Sequence, residues 1–115
     1  MQTIIYHNPR CSKSREALAL LEARGIPHRV VEYLKTPPDR ATLTAIARVL
    51  DGGIQAMVRT KDPLFAELGL ADATDARLLD ALVEQPALLE RPLVVHDGRA
   101  ALGRPPANVL ALFER

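Results

Sequence analysis

The sequence predicts a mixed α/β domain, and three observations predict it. A short β-branched segment, Thr3-Ile4-Ile5-Tyr6, leads into an apolar helical stretch and then a second strand. Residues from about 36 to 90 carry only helical periodicity. The chain then returns to two short strands around Asp97-Gly98 and closes on a helix. At 115 residues, a single domain spanning 1–115 is expected.

Each element has a local reason. His7-Asn8-Pro9 breaks the first strand. A helix runs from about Ser12 to Arg24, with Ala17, Leu18, Leu20 and Leu21 grouped on one side and Gly25 at C′. His28 to Tyr33 is the second strand, so the first three elements form a right-handed βαβ unit with parallel strands. Thr36-Pro37-Pro38-Asp39 supplies an N-cap, a first-position proline and a first-turn acid. Leu43, Ile46, Ala47 and Leu50 then fall on one helical face until Asp51-Gly52-Gly53 ends it. Asp62-Pro63 opens a short helix through Leu68 that Gly69 closes. Thr74 opens another, with Leu78, Leu79, Leu82 and Val83 as its apolar stripe. Leu93 to His96 and Arg99 to Leu102 flank Asp97-Gly98, a dipeptide suited to a type I′ hairpin turn. Gly103-Arg104-Pro105-Pro106 stops the last strand, and Val109, Leu110 and Phe113 mark a final helix. This is the order of a thioredoxin-like domain with an all-helical insertion between the second and third strands.

Composition removes several function classes. Apolar residues make up 48% and charged residues 25%, the values of a globular chain. Fifteen Lys+Arg against fourteen Asp+Glu leave +1, without the concentrated basic face that nucleic-acid binding needs. Two Tyr, two Phe and no Trp give no base-stacking platform. Apolar runs such as Ala17 to Leu21 are far too short for a membrane span, and the N-terminus lacks the signal-peptide pattern. One Cys makes no internal disulfide, so the reducing cytoplasm is the expected compartment. No Cys/His/Asp/Glu group has metal-ligand spacing, so no metal and no bound cofactor are expected.

Chemistry concentrates at that thiol. Most lone cysteines are inert hydrophobes. Cys11, however, lies between a strand end and a helix start, where unpaired backbone N–H groups and the helix dipole favour a thiolate. Arg10, Lys13 and Arg15 add positive charge along the chain, and His7 sits four residues upstream. Ser14 occupies the place of the second Cys in a Cys-x-x-Cys pair. Any redox cycle must therefore use an external thiol such as glutathione. Ser14 also suits the plain role of a first-turn residue bonded to backbone.

Arginine is the second signal. Twelve of the fifteen cations are Arg, whose planar fork suits oxyanions, although composition alone could give that ratio. Placement selects three. Arg91 precedes Pro92 before the third strand, Arg104 precedes Pro105-Pro106 after the fourth, and Arg59 follows the apolar stretch Ile54 to Val58.

His7-Asn8-Pro9-Arg10-Cys11-Ser12-Lys13-Ser14-Arg15, with Glu90-Arg91-Pro92-Leu93-Val94 and Gly103-Arg104-Pro105-Pro106, resembles the glutaredoxin-coupled arsenate reductase family (ArsC type) in its compact, chromosomal form. The resemblance covers nearly the whole chain. It implies a thioredoxin-like fold in which Cys11 attacks arsenate and Arg59, Arg91 and Arg104 bind the oxyanion, supported by His7, Ser14, Arg15 and Pro92. It also implies a cis-Pro at Pro92, glutathione as co-substrate and glutaredoxin as partner, with neither nucleic acid nor membrane involved.

Other readings stay open. A phosphatase-like arsenate reductase needs Cys-x5-Arg, and six residues after Cys11 stands Ala17. A monothiol glutaredoxin, or another glutathione-linked thiol oxidoreductase, shares Cys-x-x-Ser without the arginine motifs. A regulator resembling Spx, which binds RNA polymerase, shares the superfamily, but its redox-switching members use the Cys pair that Ser14 removes.

Overall fold

The computed structural model describes residues 2–114, which form two compact units: residues 2–36 with 91–114, and residues 37–90. In the first unit, β1 (Thr3–His7) lies at the centre of a four-stranded sheet of order β2-β1-β3-β4. It runs parallel to β2 (Arg29–Glu32) and antiparallel to β3 (Leu93–His96), which pairs antiparallel with β4 (Arg99–Leu102). Asp97 and Gly98 take φ of 50° and 72°, the two positive values that a type I′ turn requires.

The βαβ unit closes as its residues dictate. Helix α1 (Ser12–Ala23) ends at Arg24, and Gly25 follows with φ 65°. The Gly25 N–H bonds the Glu22 carbonyl and the Ile26 N–H bonds the Leu21 carbonyl, each at 3.0 Å, which is a Schellman cap. That cap returns the chain to β2. This edge strand is shorter than His28 to Tyr33. His28 stands before it, bonded to the Ile26 carbonyl, and Tyr33 is buried beyond it.

Ile5, Ala17, Leu21, Val94, Val109 and Leu112 form the core of this unit. Ile5 sits opposite Val94 in the sheet, so β1 and β3 present one apolar face to α1 and to the terminal helix. That helix, Pro106–Phe113, differs from expectation: it is a 3-10 helix. With three residues per turn, the residues it buries are Val109 and Leu112, at i and i+3, while Leu110 and Phe113 stay half-buried. His96, beside the hairpin turn, pairs its Nδ1 with Thr3 Oγ1 at 2.8 Å and packs on the Phe113 ring.

The second unit holds only helices and one isolated bridge, Val58 to Leu89, among the described residues. Helix α2 (Arg40–Val49) is capped by Asp39, whose carboxylate accepts the Thr42 N–H at 2.8 Å, and not by Thr36. The tandem prolines explain the shift, because a residue before proline is pushed out of the helical region. Helix α2 ends at Leu50, just before Asp51-Gly52-Gly53, and the two glycines, both at positive φ, start a short helix that periodicity did not indicate, α3 (Gly53–Ala56). Helix α4 (Pro63–Glu67) begins under an Asp62 cap and stops at Gly69, as expected. In α5 (Asp75–Glu84), Thr74 caps through the Arg77 N–H. Leu78, Ala81 and Leu82 are its buried face. Val83 points outward, because Ala81 at i+3 from Leu78 takes the place assigned to it. A 3-10 turn, Pro86–Leu88, leads out of the unit.

Candidate active site

The thiol is built by a turn. The Cys11 N–H bonds the Asn8 carbonyl at 3.0 Å, closing Asn8-Pro9-Arg10-Cys11 with proline at the second position. Asn8 Oδ1 accepts the Arg10 N–H at 3.0 Å, an Asx turn that stiffens the same loop. Arg15 reaches back to donate to the Pro9 carbonyl at 2.9 Å. Ser14, fully buried, accepts the Asn8 N–H at 3.1 Å, and its Oγ lies 2.6 Å from His7 Nδ1. Burial pushes the His7 imidazole below its ordinary pKa, against the nearby Glu32 carboxylate, which raises it; Arg15 adds to the lowering. His7, Ser14 and Arg15 thus tie the end of β1 to the first turn of α1.

Cys11 stands at the N-cap of α1, half-buried and free. Burial alone would raise its pKa. The Ser14 N–H, the Arg91 charge, the Lys13 N–H and the Arg104 charge together outweigh that, so the thiol is held below its ordinary value. The side chain completes no full capping hydrogen bond; the field of the N–H groups acts without one. The cations that act are not those predicted from proximity in sequence. Arg10 and Arg15 point to other tasks or to solvent, and the charge comes from Arg91 and Arg104, which the sheet brings back from 80 or more residues away.

Those two arginines are linked. Arg104 Nε donates to the Arg91 carbonyl at 2.9 Å, and Arg104 Nη2 lies 4.0 Å from Cys11 Sγ. Asn108 Nδ2 in turn holds the Arg104 carbonyl at 3.1 Å. The Arg91 guanidinium is out of solvent at Nε and Nη1, whereas Arg104 is exposed. Pro92 is buried and the Arg91–Pro92 bond is cis, as the resemblance implied. Arg104–Pro105 is also cis, which the sequence did not suggest. Arg59 belongs to the helical unit, where its guanidinium pairs with Asp62 at 3.0 Å and its N–H bonds the Leu88 carbonyl. Among the described residues no cluster of three or more His, Cys, Asp or Glu could hold a metal, and no helix is long and apolar enough to cross a membrane.

Gly103 matters more than its place in a turn suggests. Its N–H bonds the Pro92 carbonyl at 2.9 Å, and a Cβ there would lie 2.5 Å from Pro92 Cγ and 3.3 Å from Val109 Cγ1. A proline ring cannot swing aside. Gly103→Ala should therefore lower stability by about 1–3 kcal/mol, read from the midpoint of denaturant unfolding, and shift Arg91 and Arg104 with it. An unchanged midpoint would refute this close packing.

A sheet of this order, with a thiol at a helix N-cap and a cis-proline at the start of β3, defines a thioredoxin-like protein. The ArsC family model matches residues 6–112, and the chain belongs to that family. It is 51% identical to an arsenate reductase of Neisseria meningitidis over 112 residues, covering 95% of this chain and 96% of the relative. It is 47% identical over 114 residues to the uncharacterized protein YfgD of Escherichia coli, covering 96% of each. A solved structure of an arsenate reductase from Vibrio cholerae superposes with a TM-score of 0.92 at 47% identity, covering 97% of this chain and 98% of that one.

Proposed function

We propose that the protein is an arsenate reductase that draws its electrons from glutathione and glutaredoxin. The observation that carries this reading is the Cys11 thiol, pKa-lowered at a helix start, with Arg104 Nη2 4.0 Å from its sulfur, in a chain of the ArsC family. A thiolate attacking a polyanion meets charge repulsion, so the site must offer cationic forks and backbone N–H groups. Arg91 and Arg104 supply the forks in this reading.

Cys11 forms a sulfur–arsenic bond and expels one arsenate oxygen, which leaves as water once protonated. Ser14 has no sulfur, so the two electrons that take As(V) to As(III) must come from outside the chain. Glutathione attacks the adduct, and glutaredoxin completes the reduction. The two external thiols end as a mixed disulfide, arsenite departs and Cys11 regains its thiol. His7, Ser14 and Arg15 position the loop, and no resident cofactor enters.

The test follows NADPH loss with arsenate, glutathione, glutaredoxin and glutathione reductase, omitting each in turn. Turnover should require all four together with the protein. Full rate without glutaredoxin would refute the coupling, and no turnover with arsenate would refute the substrate.

A further inference from the structure

Beside the thiol lies a cleft of about 430 Å³ that the chemistry above does not use. His7, Asn8 and Arg10 form one wall, and Glu32, Leu34 and Lys35 form the other. Both walls are rigid. The first is the Asx-locked turn that carries Cys11. The second is a turn after β2, where the Lys35 and Thr36 N–H groups both bond the Glu32 carbonyl at 2.9 Å.

We propose that this cleft binds the thiol co-substrate as a small zwitterionic peptide, glutathione itself; this rests on the glutathione dependence proposed above. Charge complementarity favours that occupant. The cleft carries two cations, Arg10 and Lys35, and one anion, Glu32. Glutathione carries two carboxylates and one ammonium, the inverse set. The Lys35–Glu32 pair is loose, at 3.6 Å with the lysine 78% exposed, so its charges turn to a ligand at little cost. Leu34, 52% exposed, offers an apolar rim to the peptide's methylenes. Because Arg10 directly precedes Cys11 in the same turn, the cleft adjoins the loop that carries the thiol.

S-methylglutathione, which binds without reacting, separates binding from chemistry. Titrated into the full 15N-labelled chain, it should shift the amides of Asn8, Arg10, Leu34 and Lys35. Lys35→Glu should weaken this binding about tenfold. Arg24→Glu makes the same charge change at the far end of α1, about 18 Å away along a twelve-residue helix, and should leave binding unchanged. Shifts clustered elsewhere, no shifts at millimolar ligand, or wild-type affinity in Lys35→Glu would each overturn the cleft assignment. In the coupled assay, Lys35→Glu should raise the KM for glutathione by a similar factor. Intact binding at the cleft without arsenate turnover would uphold the cleft and refute the arsenate reading alone.

Discussion

Cys11→Ser should abolish arsenate turnover, by at least about 10³-fold, while the protein still unfolds in one cooperative thermal transition, lowered only by the small linkage contribution of the thiolate. The two halves of this expectation have separate grounds. A hydroxyl keeps its proton at neutral pH under the same local field, so the nucleophile is lost. The fold does not need the sulfur, because Cys11 is outside the core of Ile5, Ala17, Leu21, Val94, Val109 and Leu112 and completes no capping hydrogen bond. The wild-type thiol itself offers the more searching measurement. Its alkylation rate against pH should show a midpoint below the ordinary thiol value, because the Ser14 and Lys13 N–H groups and the Arg91 and Arg104 charges outweigh burial. Linkage fixes the sign: the stabilisation from this group is complete above the unfolded thiol pKa and is lost as pH falls through the lowered folded value. A midpoint at or above the ordinary value would refute the electrostatics described for the site.

What could be read from the sequence was what is decided locally. Gly25 placed the Schellman cap, Asp97-Gly98 placed the hairpin, and the run from Thr3 to Tyr6 placed β1, because each depends on a few neighbouring residues. Cys11 was legible for the same reason: a helix start is a local event. Errors arose where two local rules competed or where the partner was distant. Thr36 and Asp39 both suit an N-cap, and the choice fell to the second because Pro38 bars the first turn from Pro37. The terminal helix follows a three-residue repeat that an i, i+3, i+4 pattern cannot separate from an α-helix over eight residues. His96 found Thr3 and Phe113 only through strand pairing and packing. The cations around Cys11 make the same point. Sequence proximity nominated Arg10, Lys13 and Arg15, whereas the field at the sulfur comes from Arg91 and Arg104 and, at Lys13, from the backbone N–H alone. The Pro-flanked motifs marked both arginines, and the family resemblance, rather than any local rule, implied that they meet at this thiol.

Arg91→Ala should weaken oxyanion capture by about 2–4 kcal/mol, the loss seen when one preorganised oxyanion donor is removed. Arg104→Ala should cost less, and burial decides the order. The Arg91 guanidinium is out of water at Nε and Nη1, so its charge is poorly screened at the sulfur, whereas Arg104 is exposed and shares its field with solvent. The two losses should not add. Arg104 Nε holds the Arg91 carbonyl at 2.9 Å, so removing the Arg104 side chain also loosens the backbone that carries Arg91, and a double-mutant cycle should show coupling. Arg91→Lys should recover only part of the loss, since an ammonium keeps the charge but cannot make the bidentate contact. Steady-state kcat/KM for arsenate measures each change, and the Cys11 alkylation midpoint gives an independent reading, rising in both alanine variants because each removes a charge that favours the thiolate. Wild-type kcat/KM with an unmoved midpoint in Arg91→Ala would leave the arginine pair without a role at the thiol.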